Sequence, residues 1–276
     1  MIDGIGGAVQ ASPSQTGEVT VTLKAHSQRA LVRIRHRFHF TAALKRMSTI
    51  VSLDHIGTSH FVATAKGAPE TIEQYLRADS IDVQLYRECY LHFTRQGKRV
   101  IAMAYKHLPE LHSADQLRHV TREQIECDLI FAGFLIFECP LKSDSGEVIA
   151  ELIQSQHRVV VITGDNALTA CQVAQELHIA PKPLRMLHKQ HDTLTWLSID
   201  DYVRASLGHT HSALSTEHVL DDAHDYCVTG DLLEDWARDH PNSEWESRVT
   251  VYARCSPQIK AWIISRLKSK GYHTLM

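Results

Sequence analysis

The most specific chemical signal in this sequence is a short turn between an apolar strand and a helix. Arg158 is followed by Val-Val-Val-Ile and then by Thr163, Gly164, Asp165 and Asn166. Gly164 lets the backbone approach an anion closely, Thr163 supplies a hydroxyl, and the N–H groups of such a turn can face a phosphoryl oxygen. Asp165 or Asn166 can equally cap the helix. Two interpretations therefore stay open at this point, a phosphoryl-binding loop and a capped turn without a ligand.

A second group of residues combines an aromatic face, a glycine and several cations. Its members are Phe40, Lys45, Lys66, Gly67 and Arg99. Taken singly, a strand aromatic is more often part of a core, and a surface lysine is usually only solvated. Together they provide what is needed to hold a purine and a polyphosphate.

A third signal surrounds the sequence Ala-Arg-Cys-Ser-Pro-Gln-Ile-Lys, which ends at Lys260. Pro257 suits the first turn of a helix. Lys260, one turn further, can reach back to the edge of a sheet, and Arg254 precedes the same helix. The alternative for Lys260 is an exposed helical lysine.

The elements around the second group predict an antiparallel sheet with flanking helices over residues 21–126. Five segments have strand-like composition: 19–23, 35–40, 48–52, 61–66 and 99–105. Three segments suit helices: 71–76, 86–96 and 114–128. Residues 1–20 are rich in glycine and small polar residues, and we expect them to be disordered.

From residue 129 onward, strands and helices alternate, which predicts α/β structure with a doubly wound parallel sheet. Residues 129–137 form a continuous apolar run, as expected of a strand buried on both faces. Further strands are predicted at 158–162, 226–229, 249–253 and 273–276. Helices are predicted at 143–156, 167–178 and 257–270. The polar, histidine-rich residues 181–225 are predicted to be an insertion with one short helix near 200–207.

Composition excludes several classes of protein. With 276 residues, the chain is long enough for two ordinary domains, and its net charge of -3 provides no basic field for nucleic acid. No apolar run reaches the ~20 residues of a membrane-spanning helix, so we expect this chain not to cross a bilayer by itself. The six cysteines include no Cys-x-x-Cys pair, and the paired histidines lack a third ligand nearby. We therefore predict no disulfide framework and no metal site within this chain.

The order of the motifs is similar to that of the P-type ATPases. The motifs are FHFTAALKRMS, KGAPE, GKRVIAMAYK, CPLKSDS, TGDNALTA and ARCSPQIK. They cover nearly all of residues 35–276. The sequence most resembles type V, subgroup A, the endoplasmic-reticulum transporters regarded as dislocases of misinserted transmembrane helices. His39, the Lys45-Arg46 pair and Cys139-Pro-Leu-Lys support that subgroup.

The resemblance implies roles for the residues of the second group. Phe40 resembles the aromatic that stacks on adenine, with Lys45 and Lys66 beside the base and phosphates and Gly67 in the same loop as Lys66. Arg99 resembles the arginine that reaches the phosphate chain and helps to bridge two domains. ATP is accordingly the implied ligand.

The resemblance also implies roles for the later motifs. Thr163, Gly164 and Asp165 resemble the loop that receives the γ-phosphoryl group. Lys260 resembles the lysine that neutralises an aspartyl phosphate and its transition state. Arg254 resembles a further arginine of the phosphorylation domain. Cys139 departs from the acidic residue that other branches use to link the nucleotide and hinge regions, which puts that contact in doubt here.

Several sequences that the family chemistry requires do not occur in this chain. It contains no Asp-Lys-Thr-Gly sequence for the phosphorylated aspartate and no Gly-Asp-Gly-Thr-Asn-Asp sequence for Mg²⁺. The actuator sequence Thr-Gly-Glu and the membrane helices are not predicted either. We expect the Mg²⁺ ligands to lie outside this chain and the chain alone to show no turnover, whether it is a fragment, an incomplete gene model or a shortened product.

The sequence therefore predicts a nucleotide-binding domain over 21–126 and a partial, haloacid-dehalogenase-like phosphorylation domain over 127–276. By resemblance, these face the cytosol in an ATPase of the endoplasmic-reticulum membrane, with ATP, the actuator and membrane domains and a transported substrate as partners. One alternative is a haloacid-dehalogenase-type phosphatase, which needs an Asp-x-Asp pair that residues 129–140 do not contain. The other is a truncated regulatory module that binds nucleotide without catalysis.

Overall fold

The computed structural model describes residues 9–13, 19–25, 28–55, 58–112, 115–190, 193–209, 220–239 and 244–275. The chain divides into two compact units. The first consists of Met1–Val83 and Ile101–Leu135, and the second of Gln84–Val100 and Ile136–Met276. The predicted boundary between residues 126 and 127 differs from this division and stays a prediction.

The sheet of the first unit has seven strands whose spatial order is the order of the chain. They are β1 Val9–Pro13, β2 Val19–Ala25, β3 Gln28–Thr41, β4 Arg46–His55, β5 Thr58–Gly67, β6 Arg99–His107 and β7 Ile130–Phe137. Successive strands from β1 to β6 pair antiparallel. Strand β1 lies within the range predicted to be disordered; residues 1–8 and 14–18 lie outside the described ones.

Alternation of side chains explains why these segments form a sheet. Ile50 of β4 and Ala63 of β5 are opposite each other and both buried. The next pair along, Thr49 and Thr64, points to the other face, where the two hydroxyls lie 2.7 Å apart. The apolar face packs on segments that follow β6, in a core formed by Ile50, Phe61, Ala63, Leu108, Leu117 and Ile125.

The first three helices are α1 Pro69–Ile72, α2 Val83–Arg95 and α3 Arg122–Ile125. Most of α2 belongs to the second unit. The single helix predicted over 114–128 is wrong: a 3₁₀ turn, Asp115–His119, precedes α3. Thr121 caps α3 reciprocally with Gln124, and this capping box starts a new helix.

The second unit contains a five-stranded sheet in the order β10-β9-β11-β12-β8. The strands are β8 Val161–Ile162, β9 Leu184–Gln190, β10 Thr193–Ser198, β11 Asp225–Thr229 and β12 Val249–Ala253. Strands β9, β11, β12 and β8 run parallel, and β10 pairs antiparallel with β9. The predicted mixed α/β class is confirmed.

Six helices accompany this sheet in the described part of the chain. They are α4 Ser145–Gln154, α5 Ala167–Glu176, α6 Ile199–Ser206, α7 Gly230–Asp239, α8 Trp245–Arg248 and α9 Pro257–Ser269. The core is unusually aromatic. Trp196 lies edge-on to Tyr226 and Trp236, with ring centroids 4.9 and 5.3 Å apart, and all three side chains are buried.

Two strand predictions differ from the structure. Residues 129–137 were expected to be buried on both faces of the parallel sheet, but β7 belongs to the seven-stranded sheet, and Phe137 is 44% exposed. A continuous apolar run does not specify which sheet a strand joins. The strand predicted at 158–162 is reduced to β8 at the sheet edge. Arg158 instead directs its guanidinium to backbone carbonyls of Glu246 and Val249.

Two further segments differ in part from their predictions. The short helix expected near 200–207 in the insertion 181–225 is confirmed as α6, but the described residues of this segment also form the hairpin β9–β10. Within the described residues 273–275 there is no strand. A search of the described residues also finds no helix with the length and apolar character needed to span a membrane.

Candidate functional site

A tight turn connects β3 to β4 and carries two of the predicted site residues. The Lys45 amide donates to the Thr41 carbonyl at 2.9 Å. Lys45 has a φ of 52°, in the left-handed region that few side chains adopt. Phe40, at the end of β3, is 59% exposed. An aromatic side chain so exposed beside a lysine offers a free ring face and a cation at one place.

The end of β5 brings Lys66 and Gly67 to this turn. Gly67 pairs with Arg46, and the amide of Ala68 donates to the Lys45 carbonyl at 3.0 Å. A Cβ atom on Gly67 would lie 2.6 Å from the same carbonyl oxygen, so only glycine permits this approach. The structure thus brings Phe40, Lys45, Lys66 and Gly67 together at one end of β3, β4 and β5.

The predicted phosphoryl loop follows β8 in the second unit. The Thr163 hydroxyl accepts from the Asp165 amide and donates to the Asp165 carboxylate, both at 3.1 Å. Asn166 caps α5 by accepting from the Leu168 amide at 2.9 Å. Asn166, and not Asp165, is therefore the cap, which leaves the Asp165 carboxylate outside the capping interaction. Gly164 is exposed in the same turn.

The segment after β12 lies directly against this loop. The Arg254 amide donates to the Asp165 carbonyl at 3.0 Å, and the Cys255 amide donates to the Thr163 carbonyl at 2.9 Å. Arg254 has a positive φ of 52°. These two bonds hold the loops after β8 and β12 side by side at the carboxyl ends of neighbouring parallel strands, where open α/β sheets bind ligands.

Lys260 lies on α9, whose start is fixed by its cap. Ser256 accepts from the Ile259 amide at 3.2 Å, and Pro257 occupies the first turn, as predicted. The Lys260 side chain lines an open groove of about 600 Å³ along the helix, together with Lys268. Its positive charge also acts on Cys255, one turn earlier in the chain.

Arg99 belongs to the second unit, with the phosphoryl loop. One guanidinium nitrogen, Nη2, lies 3.7 Å from Oδ1 of Asp165. The two side chains are 63% and 44% exposed, so solvent screens this ion pair and its stabilising effect is small. Within the second unit, the contact places Arg99 beside Asp165.

The Cys255 thiol near this loop has a pKa that burial shifts. Burial raises the pKa of Cys255 to about 11, the nearby Lys260 charge opposes this rise, and Asp231 adds to it. The Cys255 thiol is therefore protonated at neutral pH. Asp231 lies in the first turn of α7, which directly follows β11.

The turn after β11, Thr229-Gly230-Asp231, is not among the predicted site residues. It repeats the Thr-Gly-Asp sequence of the predicted loop, and this repetition was the available signal. Gly230 is packed closely: an added Cβ atom would lie 3.1 Å from the Arg254 carbonyl oxygen and 2.9 Å from an Ile259 side chain atom. The turn after β11 therefore abuts the Arg254 segment.

A buried carboxylate near the Phe40 turn is also absent from the predicted site residues. Glu126 is 2% exposed and contacts Arg46 and Arg122. Its local signal is limited to the i,i+4 pair with Arg122, because Arg46 lies 80 positions away in the chain.

The residues described here do not fit a resident metal ion. Among them, no group of three His, Cys, Asp or Glu side chains could hold one. The residues around Phe40 do fit a nucleotide, because an exposed aromatic ring and two lysines match the adenine base and the phosphates of ATP.

Comparisons with known proteins agree with the motifs. Residues 19–144 match the family model described as P-type ATPase, cytoplasmic domain N. The chain is 39% identical to the probable manganese-transporting ATPase PDR2 of Arabidopsis thaliana over 248 residues. It is 41% identical to the endoplasmic reticulum transmembrane helix translocase spfA of Aspergillus fumigatus over 258 residues, and 39% identical to the endoplasmic reticulum transmembrane helix translocase of Schizosaccharomyces pombe over 250 residues.

The extent of these matches differs between the chain and its relatives. Each covers 89% of this chain, but only 19–20% of the relative. The chain thus spans about one fifth of the length of these curated relatives. The comparisons confirm the family resemblance drawn from the motifs.

Proposed function

Since residues 19–144 match the family model of the P-type ATPase cytoplasmic domain N, we propose that this chain binds ATP through Phe40, Lys45, Lys66 and Gly67. The observation that carries the proposal is the junction of the Phe40–Lys45 turn with the end of β5, through the bond from the Ala68 amide to the Lys45 carbonyl. Adenine stacks on the exposed Phe40 ring, and the lysines neutralise phosphate oxygens.

The second unit supplies part of the phosphoryl-transfer machinery in this proposal. The Thr163–Asp165 loop receives the γ-phosphoryl group, since it lies at the carboxyl end of a parallel strand with an exposed glycine at its centre. The Arg254 backbone is bonded to this loop, the Lys260 charge acts on the neighbouring Cys255, and Arg99 lies beside Asp165. The acceptor aspartate and the Mg²⁺ ligands belong to the parent protein outside this chain.

The parent protein is proposed to be an ATP-hydrolysing transporter of the endoplasmic-reticulum membrane, with this segment facing the cytosol. Two relatives at 39–41% identity are named as endoplasmic reticulum transmembrane helix translocases, which supports a transmembrane helix as the transported substrate. Its actuator and membrane domains are the proposed partners of this segment.

ATP binding to the 276-residue chain tests the proposal directly by isothermal titration calorimetry. We expect measurable binding, and about tenfold weaker binding for Phe40→Ala, because stacking of one base on an aromatic ring contributes about 1–3 kcal/mol. Lys66→Ala should weaken ATP more than adenosine, because it removes a phosphate contact. Lys189→Ala, an exposed lysine in the second unit, is the matched control and should bind like the parent.

Two results would contradict this assignment. A folded parent chain that does not bind ATP would remove the proposed site. Phe40→Ala and Lys66→Ala variants that bind as tightly as the parent would place the nucleotide elsewhere on the molecule.

A further inference from the structure

A buried carboxylate lies behind the Phe40–Lys45 turn in the first unit. Glu126, at the end of α3, is 2% exposed. Its Oε2 atom accepts from Arg46 Nε at 2.6 Å. Its Oε1 atom accepts from the Ser48 hydroxyl at 2.7 Å and from Arg122 Nη1 at 3.0 Å. Each carboxylate oxygen thus holds a different arginine, and the buried charge is fully hydrogen-bonded.

Both arginines reach from this carboxylate to the backbone of the turn. Arg122 Nη2 donates to the carbonyl of His39 at 2.8 Å. Arg46 Nη1 donates to the carbonyl of Leu44 at 3.3 Å. These two carbonyls directly precede Phe40 and Lys45, so one carboxylate orients a donor toward each end of the turn.

Aromatic rings restrict the two guanidinium groups further. Arg46 lies over the Tyr75 ring, 4.2 Å from its centroid, and Arg122 lies 5.5 Å from the centroid of Phe38. Their side chains are only 11% and 16% exposed. Without the shared carboxylate, two poorly hydrated cations would face each other, which favours their separation.

We propose that Glu126 is a positioning residue for the nucleotide site, acting through Arg46 and Arg122 to fix Phe40 and Lys45 at their binding spacing. This inference rests on the proposed function, because it assigns a role within the same site. Glu126 does not touch the nucleotide. Glu126 orders the turn before ATP binds. The entropic cost of ordering the turn therefore does not reduce the affinity for ATP.

The first test compares ATP affinity in two matched variants. Glu126→Gln keeps the shape of the side chain and removes its charge, and we expect ATP binding about fivefold weaker or more. Glu246→Gln is the control. Glu246 is equally buried, and its Oε1 accepts from Arg266 Nε at 2.7 Å in the second unit. It should lower thermal stability without changing ATP affinity.

A double-mutant cycle separates positioning from general destabilisation. If Glu126 acts through Phe40, the loss caused by Glu126→Gln should be smaller in a Phe40→Ala background, because the positioned ring is already absent. Additive losses in a folded double variant would overturn the proposal.

Hydrogen exchange in the nucleotide-free chain gives a readout that does not depend on the proposed function. The Lys45 and Ala68 amides, bonded within the turn and to it, should exchange about tenfold faster in Glu126→Gln. The reference is the Leu108 amide of the same unit, which is bonded to the Phe61 carbonyl and should not change. Unchanged exchange at Lys45 and Ala68 would overturn the ordering of the turn by Glu126. A parent chain that binds no ATP would overturn the proposed function, and with it the role of Glu126 in a nucleotide site, but would leave the exchange result unaffected.

Conservative arginine variants decide the matter if Glu126→Gln does not fold. Arg122→Lys and Arg46→Lys keep the charge next to Glu126 but lose the second donor to the His39 or Leu44 carbonyl. Arg122→Lys should weaken adenosine binding, and Arg46→Lys should weaken ATP more than adenosine. Parent-like binding of both nucleotides by both folded variants would refute the inference.

Discussion

At the scale of single residues, the cysteines of the second unit occupy contrasting environments. Cys139 is exposed, whereas Cys171, Cys227 and Cys255 are buried. The pKa of Cys227 is well above its ordinary value because of the adjacent Cys171 thiol and burial, and burial raises the pKa of Cys255 to about 11. Since the thiolate is the reactive species, two properties protect these thiols from alkylation. Burial keeps reagents away, and the raised pKa keeps the thiols protonated.

Iodoacetamide labelling followed by peptide mass spectrometry tests this difference. At pH 7 we expect Cys139 to be alkylated first, and Cys227 and Cys255 to stay unmodified until the chain unfolds. Replacing the neighbouring negative charge with Asp231→Asn should lower the Cys255 pKa, and Lys260→Gln should raise it. Alkylation of Cys255 as fast as that of Cys139 in the folded chain would show that the thiol is neither buried nor protonated.

Part of the candidate site could be predicted from the sequence. The rest could not, because it depends on contacts between residues that are far apart in the chain. Phe40, Lys45, Lys66 and Gly67 stand in compact motifs, and the structure brings them together through pairing of neighbouring strands. Glu126 stands in no such motif, and its local partner in the chain is Arg122 at i,i+4. Its partners Arg46 and Ser48 are 80 and 78 positions away, so only the folded sheet reveals the cluster.

At the scale of elements, the junction between the β3–β4 turn and the end of β5 depends on the absence of a side chain. We predict that Gly67→Ala destabilises the chain by about 2 kcal/mol, as overpacking typically does. The added Cβ atom would lie 2.6 Å from the Lys45 carbonyl and 2.8 Å from Arg46 Cβ, which is too close without movement of the turn. Chemical denaturation measures the change.

Gly146→Ala is the control for this prediction. Gly146 lies in α4, and an added Cβ atom there meets nothing within 4 Å. Alanine in a helix is favoured over glycine by up to about 1 kcal/mol, so this variant should be as stable as the parent or slightly more stable. Equal stabilities of the two variants would mean that the β5 junction is looser than the structure indicates.

The hairpin β9–β10 shows why one element was not predicted. Leu184, Met186 and Leu187 are buried in β9, and Leu194 and Trp196 are buried in β10. The apolar positions alternate in β10, but they are interspersed with lysine, histidine and threonine, and the composition of residues 181–225 as a whole is polar. Averaging over a long polar segment hid two short strands, of which β9 pairs with β11 and β10 pairs with β9.

At the scale of the whole molecule, the extent of the first unit leads to a prediction about shortened chains. Leu129 is 1% exposed and bonds to both sides of Leu76: its amide donates to the Tyr75 carbonyl at 2.9 Å and its carbonyl accepts from the Arg77 amide at 2.8 Å. A chain of residues 19–126 lacks this segment and β7. We expect a chain of residues 19–144 to melt about 5 °C or more above it.

Thermal unfolding followed by circular dichroism measures this difference, with both pieces prepared identically. Residues 19–144 are also the range that matches the family model. The prediction fails if the piece ending at residue 126 melts at the same temperature as the longer one. In that case the sequence-derived boundary would be the better one, and the backbone bonds of Leu129 would contribute little to stability.

The two sheets differ in the sequence separation between paired strands, and this difference affects the order of folding. In the first sheet every strand neighbours the one before it, so strands can be added one after another as the chain leaves the ribosome. Strand β8 has no such neighbour. Its partners, Val251 and Tyr252, are synthesised only after α5, β9, β10, α6, β11, α7 and α8. Closing so long a loop is entropically costly and slow. The second sheet is therefore the part of the molecule in which folding waits longest for its last contacts, and in which a chaperone has the most time to act.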